Sequence, residues 1–93
     1  MNLVTSSTFK CALKATVKKH PQLKERIAEK LELLGSDPFN AILRTHKLKG
    51  DLSGAWSCTV DYDCRIVFDF VTNDETGESE ILLIDIGSHD EVY

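Results

Sequence analysis

A change of hydrophobic periodicity at Asp37-Pro38 limits the folds that this chain can adopt. Before this point apolar residues recur at intervals of three and four positions, and after it they alternate with polar residues. The first pattern is typical of an amphipathic helix, and the second is typical of a strand with one buried face. The sequence therefore predicts helices followed by strands, which is an α+β fold.

Two helices are predicted in the N-terminal half, after a short strand at residues 3–5. Residues 6–8 are Ser, Ser and Thr, which cap helices well, and they precede an apolar stripe of Phe9, Leu13 and Val17. His20-Pro21 interrupts this helix, because the residue before a proline is disfavoured in the α region. The second helix is predicted to begin near Pro21 and to stop at Gly35.

Three strands are predicted in the C-terminal half, with a tight turn at residues 61–63 and a polar loop at residues 73–80. The first two strands share an apolar face made of Trp56, Cys58, Val60, Ile66, Phe68 and Phe70. Their opposite face carries Ser57, Thr59, Asp61, Arg65, Val67 and Asp69. The third strand, ILLIDIG at 81–87, is almost continuously apolar, as expected for a central strand. Residues 39–54 are predicted to be a loop.

The predicted element order is β-α-α-β-β-β in a single domain over residues 1–93. The two N-terminal helices are expected to pack on one face of a small, mostly antiparallel sheet, because their apolar stripes can be buried there. Arg65 would then lie on the opposite face, and His89 and Tyr93 would follow the end of the last strand.

Composition favours a cytoplasmic protein. No apolar run approaches membrane-spanning length, and the N-terminus lacks the pattern of a secretion signal. The three cysteines, an odd number without a CxxC motif, are predicted to be reduced core thiols: Cys11, Cys58 and Cys64. A zinc site built from Cys58, Cys64 and a histidine is disfavoured, because their spacing matches no usual zinc pattern.

Charge divides the chain into two unlike halves. Residues 1–50 hold ten Lys or Arg against four acids, and residues 51–93 hold one Arg against eleven acids. The first half suits a polyanionic partner and the second half would repel one, unless the fold separates them.

Arg65 is the only Lys or Arg after position 50, and two interpretations of it are open. It either pairs with a nearby acid (Asp61, Asp63, Asp69 or Asp85) or clamps a phosphate through its planar guanidinium. His89 can transfer protons near neutral pH, although a lone histidine is more often a surface or capping residue. Tyr93 is either a phenol donor or an aromatic that packs the tail.

Several further residues carry both a structural and a functional interpretation. His46 lies in a basic loop that suits a polyanionic substrate, although solvated loop charges are the more common case; the loop cations are Arg44, Lys47 and Lys49. Three interpretations of Asp61 and Asp63 are open: they form a turn, one of them acts as a general base, or the two bind a metal together with a histidine. Trp56 is a core residue or a platform for stacking nucleic-acid bases.

Three segments together resemble the RelE/YafQ-type toxins of bacterial toxin–antitoxin pairs: HKLKGDLSGAW, DYDCRIVFDF and ILLIDIGSHDEVY. The resemblance extends over nearly the whole chain and is most specific in the C-terminal third. It implies a RelE-like fold whose open sheet face binds RNA. It also implies a toxin that cleaves mRNA on the ribosome without a metal or cofactor, and an antitoxin that binds it in a hetero-oligomeric complex.

The resemblance also implies roles for individual residues. Arg65 matches the strand arginine that holds the phosphate, His89 a general acid or base, and Tyr93 a terminal aromatic that orients the substrate or shuttles a proton. His46 matches a loop histidine of YafQ-like members, and Asp63 matches the acid before the third strand. The expected RNA-binding residues are Arg44, Lys47, Lys49 and Trp56.

Two departures from the family pattern keep other functions open. Ser57, Cys58 and Thr59 stand where some relatives have lysines or a histidine, and the C-terminal half is acidic, whereas phosphate contacts supply most RNA affinity. The alternatives are a ParE-like toxin that binds DNA gyrase, a weakly catalytic module that binds only its antitoxin, and a metal-dependent nuclease.

Overall fold

The computed structural model describes residues 1–48 and 54–88, which form a five-stranded sheet with two helices on one face. The elements are β1 (Asn2–Thr5), α1 (Ser7–Lys19), a 3-10 turn (Pro21–Leu23), α2 (Lys24–Ser36), a second 3-10 turn (Ala41–Leu43), β2 (His46–Lys47), β3 (Trp56–Asp61), β4 (Cys64–Thr72) and β5 (Ser79–Gly87). The strand order is β1-β5-β4-β3-β2, and only the β1–β5 pair is parallel. The predicted α+β class and mostly antiparallel sheet are confirmed.

The start of α1 is fixed by Ser6, as its position before the apolar stripe predicts. The Ser6 hydroxyl accepts a hydrogen bond from the backbone N–H of Phe9 at 3.0 Å and donates one to the carbonyl of Ile84 at 3.2 Å. Its own N–H donates to the carbonyl of Leu83 at 3.1 Å. This one residue therefore caps the helix and attaches it to β5.

The predicted stop of the second helix at Gly35 is wrong, because α2 continues to Ser36. A Cβ at Gly35 would lie 3.3 Å from the carbonyl oxygen of Met1 and 3.7 Å from Cγ of Leu3. The Met1 ammonium also donates to the Gly35 carbonyl at 2.7 Å. The glycine thus permits the close approach of α2 to β1 rather than ending the helix.

The predicted loop over residues 39–54 is wrong at His46 and Lys47, which form strand β2. His46 pairs with Ser57 and Lys47 pairs with Trp56 on β3. Two residues are too few to produce a detectable alternation, so this strand exists only through its pairing with β3.

The sheet has a large core on its helical face and a small apolar cluster on the other. The helical face buries Phe9, Ile27, Leu34, Cys58, Ile66, Phe68, Ile81, Leu83 and Ile86, among others. On the opposite face, Leu48 and Ala55 pack on Val67, with Ile84 beside them. Part of the face that carries Arg65 is therefore covered. Among the described residues, no helix is long and apolar enough to cross a membrane.

Candidate functional site

Arg65 lies near the end of the sheet where β5 terminates. It pairs in register with Thr59 on β3 and with Gly87 on β5, so all three lie in one row across the sheet. Arg65 is half-buried, and its Nη1 donates a hydrogen bond to Oγ1 of Thr59 at 3.0 Å. Asp61, one of the acids considered as its partner, is paired instead with Arg26 at 2.9 Å.

Asp63 lies in the turn between β3 and β4 and lines a cavity of about 580 Å³. Lys19 and His20, at the end of α1, line another wall of this cavity. Gly87 and Ser88 line it as well. Ser88 directly precedes the predicted site residue His89 in the sequence.

His46 lies on β2, on the same face of the sheet as Arg65. It pairs with Ser57, and Thr59, two residues further along β3, pairs with Arg65. Strand spacing and residue rise put the Cα atoms of His46 and Arg65 roughly 12 Å apart. The surface between them is tightly packed, because Ser57 is 0% exposed and Val67 is 1% exposed.

The imidazole of His46 has a defined tautomer. Its Nδ1 lies 3.0 Å from the carbonyl oxygen of Arg44, and because a carbonyl only accepts, Nδ1 carries the proton. In the neutral ring the lone pair is therefore on Nε2, which is the nitrogen that can accept a proton. Arg44 holds this carbonyl in a left-handed backbone conformation, with φ of 50°.

Trp56 and Lys47 lie on the face opposite Arg65, so the structure does not bring these two together with His46 and Arg65. Lys47 Nζ lies 6.0 Å from the ring centroid of Trp56. The Trp56 ring also contacts Phe39 and Phe70, with centroids 5.5 and 5.6 Å away. Phe39 is 59% exposed, so the three rings form an aromatic surface beside the cation. The RNA-binding role of Arg44, Lys47 and Trp56 stays a prediction.

Three of the predicted site residues, Lys49, His89 and Tyr93, lie outside the described residues. Within the described ranges, no group of three or more His, Cys, Asp or Glu side chains is placed to hold a metal ion. Cys58 and Cys64 are buried in the core of the helical face and form no disulfide, and they lie on the side of the sheet opposite the Arg65 side chain.

Sequence reasoning missed Thr59 as the partner of Arg65. The alternation of β3 and β4 does place Thr59 and Arg65 on one face, and the short turn at residues 61–63 limits their register. The sequence pattern cannot show that the β3–β4 pairing is irregular between Thr59 and Asp61. This irregularity determines which residue lies opposite Arg65.

Comparison with known proteins gives both a family match and structural matches. The family model described as the YafQ bacterial toxin of a type II toxin–antitoxin system matches residues 1–93. A search of curated proteins finds no match. The crystal structure of YafQ from E. coli strain BL21(DE3) superposes with a TM-score of 0.79 at 17% identity, covering 99% of this chain and 97% of that chain.

Two further solved structures have the same fold. The YoeB/ParE toxin from Agrobacterium tumefaciens gives a TM-score of 0.75 at 21% identity, covering 96% of this chain and 99% of that chain. A chain of the E. coli DinJ-YafQ complex gives 0.73 at 17% identity, covering 99% and 97%. At these identities the likeness establishes the fold, and it confirms the predicted RelE-like architecture.

Proposed function

The chain belongs to the YafQ family of bacterial toxins of type II toxin–antitoxin systems, and we propose that it halts translation in the cytoplasm by cleaving mRNA on the ribosome without a metal ion. The observation that carries this proposal is the placement of Arg65. Arg65 is half-buried, its guanidinium donates a hydrogen bond to the Thr59 hydroxyl, and it pairs with Gly87 at the end of β5, two residues before His89 in the sequence. The Thr59 hydroxyl is neutral, so it does not itself offset the charge that a phosphate would meet.

The reaction requires three kinds of group. A base removes the proton from a ribose 2′-OH, and the resulting oxygen attacks the adjacent phosphorus. A cation stabilises the charge that develops on the phosphate oxygens. An acid protonates the 5′-oxygen as its bond to phosphorus breaks, leaving a 2′,3′-cyclic phosphate and a 5′-hydroxyl.

Residues of this chain are available for each requirement. Arg65 supplies the cation, and His46 and His89 supply the base and the acid, with Nε2 of His46 carrying the lone pair. Asp63 lines the cavity next to Ser88, where a carboxylate can orient or stabilise the imidazolium of His89. Tyr93 would orient the substrate or relay a proton.

RNA binding is assigned to the edge of the sheet at β2. Lys47 and Trp56 offer a cation and an aromatic ring next to each other, which suits stacking of an RNA base beside a phosphate. Arg44 and Lys49 flank the same strand in sequence. Because His46 and Lys47 point to opposite faces of β2, an RNA strand that bends around this edge can reach both surfaces.

The antitoxin is the second partner that we propose. E. coli YafQ has been crystallised with DinJ, and the shared fold and family support an equivalent hetero-oligomeric complex for this chain. A short neighbouring reading frame should encode this antitoxin, and its co-expression should relieve the growth arrest.

Cleavage of ribosome-bound mRNA by the purified protein tests the catalytic proposal. We expect wild-type protein that is treated with EDTA and desalted before it meets the ribosomes to keep its activity, and the Arg65→Ala and His89→Ala variants to lose at least about a hundredfold in rate. Lys14→Ala, on the exposed surface of α1, is the matched control and should retain full activity. Full cleavage by both site variants would refute the proposal.

A weakly catalytic module that binds only its antitoxin is the second candidate. Asp69 and Asp85 lie on the same sheet face as Arg65, where their charges oppose RNA binding. Overexpression without antitoxin separates the two: growth arrest supports the nuclease, and unimpaired growth supports the module. Inhibition of gyrase supercoiling without any effect on translation would instead indicate a ParE-like toxin.

A further inference from the structure

Thr59 is the residue that the structure adds to the proposed site. It lies on β3 directly opposite Arg65, and both side chains are half-buried on the same face. The 3.0 Å hydrogen bond from Nη1 of Arg65 to Oγ1 of Thr59 crosses between the two strands. The family pattern singles out position 59 only as a departure, and a threonine on a strand is ordinarily a packing residue.

The bond restricts a side chain that is otherwise flexible. Arginine has many rotamers, and all but one must be excluded before the guanidinium can bind a phosphate in a fixed orientation. Threonine is well suited to exclude them, because branching at Cβ restricts its own χ1 angle. A hydroxyl anchored on a rigid strand therefore gives the guanidinium a fixed contact.

The charge of the partner is equally important. A carboxylate at position 59 would bind the guanidinium more strongly, but it would also neutralise the cation that the phosphate needs. Asp61 is an acid on the same strand, and its carboxylate accepts a hydrogen bond from Arg26 at 2.9 Å. The neutral Thr59 hydroxyl can orient Arg65 without itself offsetting the charge of the guanidinium.

We propose that Thr59 is a positioning residue: its hydroxyl holds the Arg65 guanidinium in the orientation that stabilises the charge developing on the scissile phosphate. This inference rests on the proposed nuclease function. It assigns Thr59 no direct contact with substrate, and it predicts that the effect of Thr59 is transmitted through Arg65 alone.

The experiment measures single-turnover cleavage of ribosome-bound mRNA by three variants. Thr59→Val keeps the branched shape and removes the hydroxyl, and we expect a fall of about tenfold in the cleavage rate with binding to the ribosome unchanged. Thr59→Ser keeps a hydroxyl and should stay within about twofold of wild type. Thr72→Val, the same substitution at the exposed end of β4, is the control and should have no effect.

A double-mutant cycle identifies the route of the effect. In an Arg65→Ala background, Thr59→Val should cause no further loss, because the residue that Thr59 positions is absent. Additive losses in the cycle, or equal losses in Thr59→Val and Thr59→Ser, would overturn the inference. Thermal unfolding of each variant shows that it is folded, and Thr59→Ala provides a second hydroxyl-free variant if valine disturbs packing.

The outcomes also separate this inference from the proposed function. Wild-type rates in Thr59→Val, together with an inactive Arg65→Ala, refute the positioning role and leave the nuclease intact. Wild-type rates in Arg65→Ala refute the nuclease mechanism and the positioning role together.

Discussion

At the scale of single residues, the three cysteines show how burial changes chemistry. Cys58 and Cys64 are buried as predicted, whereas Cys11 is exposed on α1, against the prediction of three core thiols. Burial in the core, reinforced by the neighbouring Cys64, raises the pKa of the Cys58 thiol from 9.0 to about 12. Cys58 is therefore a packing residue that stays protonated, and the reactive thiol of the described chain is Cys11.

The raised pKa of Cys58 predicts a loss of stability at alkaline pH. Between 9.0 and about 12 the folded chain keeps a thiol proton that the unfolded chain has released. The free energy of unfolding should therefore fall as pH rises above about 9. Urea unfolding over this range measures the fall, and Cys58→Val should reduce it whereas Cys11→Ser should not. The same pH dependence in wild type and Cys58→Val would contradict this explanation.

At the scale of secondary-structure elements, the α1 N-terminus depends on a contact that the helix alone cannot supply. The sequence identifies Ser6 as a cap, but the second bond of its hydroxyl reaches Ile84, which is 78 residues away. Gly35 gives the converse case, since a residue that looks like a helix stop instead permits contact with Met1. Local signals thus identify the residue correctly, while the tertiary contact decides its role.

Ser6→Ala should lower the free energy of unfolding by about 1–2 kcal/mol, because it removes both the cap and the bond to β5. Ser7→Ala, at the exposed first position of α1, is the matched control and should change stability by less than about 0.5 kcal/mol. Chemical denaturation of both variants checks this. Equal losses would show that the cap contributes nothing specific.

At the scale of the whole molecule, the fold keeps part of the basic first half away from Arg65. The helices pack on the face opposite Arg65, so Lys14 of α1 lies away from that residue, whereas Lys18 and Lys19 at the end of α1 line the cavity with Asp63 and Ser88. The cations assigned to RNA are few: Arg44, Lys47, Lys49 and Arg65. Free RNA should therefore bind weakly, and the ribosome would supply much of the affinity.

Salt dependence tests this view. For an uncleavable complex of His89→Ala with single-stranded RNA, four phosphate contacts predict a slope of about −3 in a plot of log affinity against log salt. Lys47→Gln should make the slope shallower by about 0.7, and Lys14→Gln should leave it unchanged. A similar change in slope for both variants would place RNA against α1 as well.

The sequence by itself determined the types of element, the face on which Arg65 lies and, through its motifs, the family. These follow from local periodicity and from residue identity, which need no knowledge of long-range contacts. Only the tertiary structure decided that Thr59 binds Arg65, that Leu48 and Ala55 cover part of the same face, and that His46 belongs to a strand. The physical reason is that strand register and pairing irregularities are set by the free energy of the whole sheet. That free energy depends on contacts between all the strands, and no short segment of sequence encodes it.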